Sequence, residues 1–288
     1  MTEITWSHRP RTLRAPALVC AFGGWNDAGD AATIAVNALV SSFGAAEFAS
    51  IDLEPFIDLR ETRPIIKVSG GEVRDLVWPH SKVYAVHAPR APRDLIVVCG
   101  PEPALAWRRY CSALLDFALQ LDCSMVVTLG AFLADQPHTR PVAIAGTSSD
   151  PDLAGRIGLT PSNYEGPTGI TAALHLAAAA DGLPSVGLWA AVPHYIAAMP
   201  NPKAGLALIR RLESLTGVIV DASGLESDVA VQDRQVEQAV ANDNDLRGFV
   251  EQLEEVIDDE AADGDIPTGD SIARDLQRFL SQQDPDEL

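Results

Sequence analysis

The sequence predicts an α/β fold: a mainly parallel sheet flanked by helices, followed by a C-terminal helical hairpin. Three observations predict it. Apolar runs of strand length alternate with amphipathic helical patterns, as in strand–helix–strand units. Several runs, such as IVV and VVTLG, are rich in β-branched residues and lack a polar face, as suits strands covered on both sides. After residue 220 the alternation stops and long acidic helical patterns take over.

The strands read in order as 17–22 (ALVCAF), 48–53 (FASIDL), 82–88 (KVYAVHA), 94–100 (DLIVVCG), 124–130 (SMVVTLG) and 185–193 (SVGLWAAVP). Between them, helices are expected over about 29–43, 103–121 and 168–181, with a further one over 202–217. Ile34, Ala35, Ala38, Leu39 and Ser42 recur at helical spacing, as do Trp107, Tyr110, Cys111, Leu114, Leu115 and Ala118. Asn26 or Asp27 is suited to cap the first helix, and Asp30 to its positive end. Residues 218–224 (VIVDASG) read as an edge strand or a linker. From Leu225 a helix is expected to about residue 260, with a narrow stripe of Val229, Val236, Val240, Leu246, Phe249, Val250, Leu253 and Ile257. ADGDIPTGD breaks it, and Ile272, Leu276, Phe279 and Leu280 mark a second short helix. Two units follow from this: a core over 1–220 and an acidic helical arm over 221–288. The arm's thin seam of Leu246, Phe249, Val250, Leu253, Ile257, Ile272, Leu276 and Phe279 is the expected oligomer or partner contact.

Charge separates the same two units. Of 40 acidic and 21 basic residues, the stretch 1–220 holds 20 and 17, whereas 221–288 holds 20 and 4. An acidic arm repels phosphate backbones, so nucleic acid is not an expected partner. No run of eighteen apolar residues and no secretory h-region occurs, so the expectation is a cytoplasmic protein away from membranes. Cys20, Cys99, Cys111 and Cys123 lack CxxC spacing and read as buried thiols, and the six histidines form no ligand pair, so neither a metal nor a cofactor is expected.

Three stretches concentrate chemistry at strand ends, where open α/β sheets bind ligands. GGWNDAGDAA (23–32) offers Gly24, Trp25, Asn26, Asp27 and Gly29, but it has no cation to neutralise a phosphate. A turn with a helix cap is its default reading; Trp25 exceeds what a cap requires and suits a pocket or an interface. NYEGPTGITAALH (163–175) places Glu165, Gly166 and Thr168 before a helix, with Thr168 as N-cap and Glu165 as either a helix-start acid or a general base beside Asp27. WAAVPHYI (189–196) puts His194 at a strand end. No nucleophile elbow accompanies these residues. The loops GPEPALAWRR (100–109) and LGAFLADQPHTRP (129–141) also follow strands and crowd the same rim.

Taken in order, AFGGWNDAGDAA, GPEPALAWRRYCSALLDFA, VVTLGAFLADQPHTRP, YEGPTGI and WAAVPHY resemble the proteasome assembly chaperone 2 family, in particular actinobacterial-type members with an acidic helical tail. The resemblance implies a phosphorylase/hydrolase-like α/β fold and homo-oligomers such as trimers. It also implies proteasome subunits or another protein as partners. The chain ends Pro285-Asp286-Glu287-Leu288, without the hydrophobic-Tyr signal by which archaeal relatives dock on proteasome rings. Two functional expectations stand side by side. One is a non-enzymatic homo-oligomeric assembly factor. The other is an enzyme or small-molecule binder using the rim around Gly24, Trp25, Asn26, Asp27, Gly29, Glu165, Gly166, Thr168 and His194.

Overall fold

The computed structural model describes residues 4–150, 153, 155 and 165–262. In chain order its elements are β1 (Ile4–Trp6), β2 (Ala17–Gly23), α1 (Ala31–Ser42), β3 (Glu47–Asp52), β4 (Ile65–Ser69), β5 (Glu72–Val77), β6 (His80–Val86), β7 (Leu95–Pro101), α2 (Trp107–Gln120), β8 (Met125–Ala134), β9 (Ile144–Ser148), α3 (Ile170–Ala180), β10 (Ser185–Pro193), α4 (Pro202–Thr216), α5 (Ser223–Asn242) and α6 (Asn244–Ala262).

Eight strands make one sheet in the order β1-β3-β6-β7-β2-β8-β10-β9. Its centre, β7-β2-β8-β10, is parallel, and the antiparallel strands lie to either side. Strand alternation sets the two faces of β2. Ala17, Val19 and Ala21 point toward α1 and α4, whereas Leu18, Cys20 and Phe22 point toward α2 and α3. The apolar stripes read from the sequence supply the cover: Ala35 and Leu39 from α1, and Tyr110, Cys111, Leu114, Leu115 and Ala118 from α2, are buried. The layered fold therefore follows from period-two strands between period-3.6 helices. The four cysteines are free, with Cys20, Cys111 and Cys123 buried.

The parallel strands end together. Gly23 of β2 stands opposite Pro101 of β7, and Pro193 of β10 opposite Ala134 of β8. β3 finishes and β6 starts at this same rim, because Asp52 pairs with His80 and β6 runs antiparallel to β7. From there the separate hairpin β4–β5 projects. Its Gly70 and Gly71 have φ of +63° and +82°, as a two-residue turn of the primed type requires.

Two expectations about the C-terminal part change. Residues 218–222 form no strand; Val218, Val220 and Ala222 are buried in an irregular linker. The single long helix is two. Asp243 leaves helical geometry, and its Oδ1 accepts from the N–H groups of Asp245 (3.0 Å) and Leu246 (3.1 Å), so it ends α5 and caps α6. α5 packs along α4, where Lys203 pairs with Asp233 at 3.5 Å and Gln232 donates to the Pro200 carbonyl. The short helix expected around Ile272, Leu276, Phe279 and Leu280 lies outside the described residues.

Candidate functional site at the strand-end rim

The GGWNDAGDAA turn divides its work among its side chains. Asp27 is buried, and it serves the helix even though it lies four residues before α1. Its Oδ1 accepts from Ala32 N–H at 2.6 Å, while its Oδ2 accepts from Thr33 N–H at 3.2 Å and from the Thr33 hydroxyl at 2.5 Å. Burial raises its carboxyl above the ordinary range, and the three donors only partly offset that. Gly29 has φ +58° and leaves no room for a Cβ, which would come within 2.8 Å of the Asn201 Cβ; the Gly29 carbonyl accepts from Asn201 N–H. Gly24, at φ +139°, lies against Glu102. Both glycines are explained by local geometry.

Asn26 is buried and turns toward a residue the sequence reading did not single out. Its Nδ2 donates to Glu102 Oε1 at 2.5 Å, and the same oxygen accepts from Ile170 N–H, the first N–H of α3, at 3.0 Å. Trp25 N–H is a third donor to this carboxylate. Glu102 thereby caps α3 from another loop, and Gly169, not Thr168, occupies the N-cap position. Thr168 is exposed, so its hydroxyl leaves the cap to a carboxylate that suits the positive helix end better. Burial nevertheless pushes the Glu102 carboxyl upward, because none of its three donors is a cation. Asn26 Oδ1 is buried with no hydrogen-bond partner among the described residues, pressed against Gly169.

The other half of the rim follows β8 and β10. Because Ala134 and Pro193 are in register, the residues after them are neighbours, and His194 Nδ1 lies 2.9 Å from Asp135 Oδ1. The Tyr195 hydroxyl meets His138 twice, accepting from its backbone N–H at 2.6 Å and lying 2.8 Å from its Nδ1. Burial raises the Tyr195 phenol to about 12; burial and then Lys203 push the His138 imidazole down. α6 lies over this half. Phe249 packs edge-on against His194 and Tyr195, Glu254 bonds to Thr139, and Asp258 pairs with Arg140 at 2.6 Å. Val250 and Leu253 are buried within the same chain, and Leu246, Phe249 and Ile257 are partly buried. The void left between these loops, α4 and α5 is about 10 Å³, the room of a single water.

The sequence-selected residues therefore occupy one rim without converging on one atom. Asp27 follows β2 and His194 follows β10, with β8 between them, an offset of roughly 10 Å. Glu165 and Gly166 are exposed, and no ion pair or hydrogen bond joins Glu165 to Asp27 among the described residues. Glu102, Asp135, His138 and Tyr195 were missed as individuals, although the loops carrying them were marked by their place after strands. Among the described residues no group of three or more His, Cys, Asp or Glu is placed to hold a metal ion, and no helix is long and apolar enough to cross a membrane.

A mixed sheet with a parallel centre, helices on both faces and a rim whose acids cap its own helices defines an α/β protein with a crowded strand-end surface. The comparisons specify it: the model of the PAC2 family matches residues 21–240, and the chain belongs to that family. It is similar to a Mycobacterium tuberculosis proteasome-assembly chaperone homologue, with 41% identity over 81% of this chain and 99% of that one, at a TM-score of 0.76. A PAC2 family protein from Streptomyces avermitilis shares 46% identity over 77% of this chain and 95% of that one, at a TM-score of 0.74. The archaeal proteasome activator PbaB of Pyrococcus furiosus shares the fold, with 16% identity, 83% and 99% coverage and a TM-score of 0.68. No curated protein matches the chain.

Proposed function

We propose that this chain is a cytoplasmic, non-enzymatic, homo-oligomeric assembly factor that engages proteasome-type subunits through the strand-end rim. The observation that carries the reading is how the rim's acids are used. Asp27 and Glu102 are engaged by helix N–H groups, and Asp135 by His194, while Trp25 (37% exposed) and the His194 side chain (44% exposed) face solvent. Such a surface offers an aromatic anchor and a polar rim, which is the anatomy of a protein contact. The names of the mycobacterial and archaeal relatives support the same class of partner. The alternative, a small-molecule site, draws on the raised carboxyl of Glu102, a property that functional acids share. Against it stand the three donors already on that carboxylate.

The test is a crosslinking pull-down from native cells with the full chain and with a Trp25→Ala/His194→Ala variant, matched for thermal stability. Proteasome subunits should be captured by the first, and at least tenfold less by the second. Equal capture by both, or capture of no proteasome subunit by either, overturns the reading.

A further inference from the structure

The hairpin β4–β5 has the inverse of a folded protein's polarity. Its ladder sets Ile66 opposite Leu76 and Val68 opposite Val73, so these four share one face, and Trp78 extends it two residues beyond Leu76. Their exposures are 58%, 41%, 58%, 64% and 48% in that order. The other face carries Lys67 directly opposite Asp75. None of the five apolar residues joins a hydrophobic cluster of the chain, and the hairpin's side-chain bonds stay within itself, as in Arg74 with Glu72 and with the Ser69 carbonyl. A two-stranded ladder with nothing beneath it is marginal in water. Something covers this one.

We propose that the cover is a second copy of this chain, packed hairpin face to hairpin face. Area and charge both favour this occupant. The five side chains expose roughly 550 Å² per copy, and two such faces bury about 1,100 Å², just above the ~1,000 Å² that a specific interface needs. The chain carries a net charge of −19, so two copies repel one another over most of their surfaces, most strongly along the acidic arm. Residues 65–78 hold two basic residues, Lys67 and Arg74, and two acidic ones, Glu72 and Asp75, and are neutral. A flat, apolar, neutral face is self-complementary under a two-fold axis. The proposal deepens the homo-oligomeric part of the function proposed above. It moves self-association from the arm, whose Val250 and Leu253 are buried in their own chain, to the hairpin.

The test is light scattering on the full chain across concentration, read against its monomer mass of 30.7 kDa. The wild type should run at twice that mass or more. An Ile66→Glu/Val73→Glu variant should fall to the monomer, with at least a tenfold rise in dissociation constant and an unchanged circular dichroism spectrum. If the glutamates disturb folding, Val68→Thr/Val73→Thr keeps side-chain shape and strand preference and should still weaken association at least tenfold. A monomeric wild type at tens of micromolar, or a folded variant of undiminished mass, overturns the proposal. Pull-downs with the monomeric variant separate the two readings, since loss of proteasome capture at full oligomer mass counts against the rim alone.

Discussion

The two ends of the parallel strands bury acids in opposite ways. At the end where the strands begin, Asp94 lies buried beside a cation. Arg14 Nη2 reaches its Oδ1 at 2.9 Å, and the backbone N–H groups of Arg14 and Ala88 complete its shell. At the rim, Asp27 and Glu102 are buried against neutral donors alone. Burial raises all three carboxyls, but only for Asp94 do Arg14 and the backbone donors outweigh it and hold the group below its ordinary value. A guanidinium makes a buried acid contribute to stability; helix N–H groups and an amide make burial tolerable. The rim thus holds groups that cost stability to keep ionised, and departures of that kind gather where a surface is used.

The largest expected effect tests how tightly the rim corner is built. A Cβ on Gly169 would fall 1.9 Å from Asn26 Nδ2 and 2.5 Å from Asn26 Oδ1, inside any permitted contact. Gly169→Ala should cost about 3 kcal/mol in urea unfolding, because the buried amide must abandon Glu102 or the start of α3 must shift. A cost below about 1 kcal/mol would mean that Asn26 swings aside freely, and the contrast between a fixed rim and a fixed base would fail.

The opposite end is probed by Asp94→Asn. Because the folded pKa of Asp94 lies below its unfolded value of about 3.9, its ionisation stabilises the fold above that pH, and the contribution is lost as pH falls through the folded pKa. The variant should be less stable at pH 7 by roughly 1.5–3 kcal/mol, the worth of hydrogen bonds to a charged group. That deficit should shrink on acidification below about pH 4. Urea midpoints at both ends of this range measure it. A deficit independent of pH would mean that Arg14 contributes shape and not charge.

Much of this was legible in the sequence, and the parts that were not have physical reasons. The centre of the sheet announced itself because strands covered on both faces are continuous apolar runs, and β10 was read with both its ends in place. β1, β4, β5 and β9 were not read. β1 and β9 are short edge strands with mixed patterns. β4–β5 carried a strong signal, apolar residues flanking Gly70-Gly71, but its bulge near Lys67 and Val68 breaks strict alternation. The break at Asp243 was written as ANDND, a cluster of capping residues overlooked within a continuous apolar stripe. At the rim, the loops were found but Glu102 was not. A carboxylate that caps a helix 68 positions away leaves no local pattern, since only the sheet register brings 102 to 170. Thr168 looked like the cap because local spacing is all that a sequence shows.

The smallest effect should come from Glu102→Gln, and its sign is the informative part. A carboxyl whose folded pKa is raised contributes its stability in full below the unfolded value of about 4.3, and loses it as pH rises through the folded pKa. The glutamine isostere has no such loss. Its Oε1 still accepts from Asn26 Nδ2 and Ile170 N–H, but its amide turns a donor toward Trp25 N–H, which wastes one contact. The gained relief and the lost acceptor nearly cancel, so the net change at pH 7 should stay within about 1 kcal/mol. Relative to wild type, the variant should gain stability as pH rises, whereas Asp94→Asn loses it. Urea midpoints for both variants across the same pH series would display the two slopes. Slopes of the same sign would show that Glu102 is held by a cation after all, and the distinction between the two ends of the sheet would disappear.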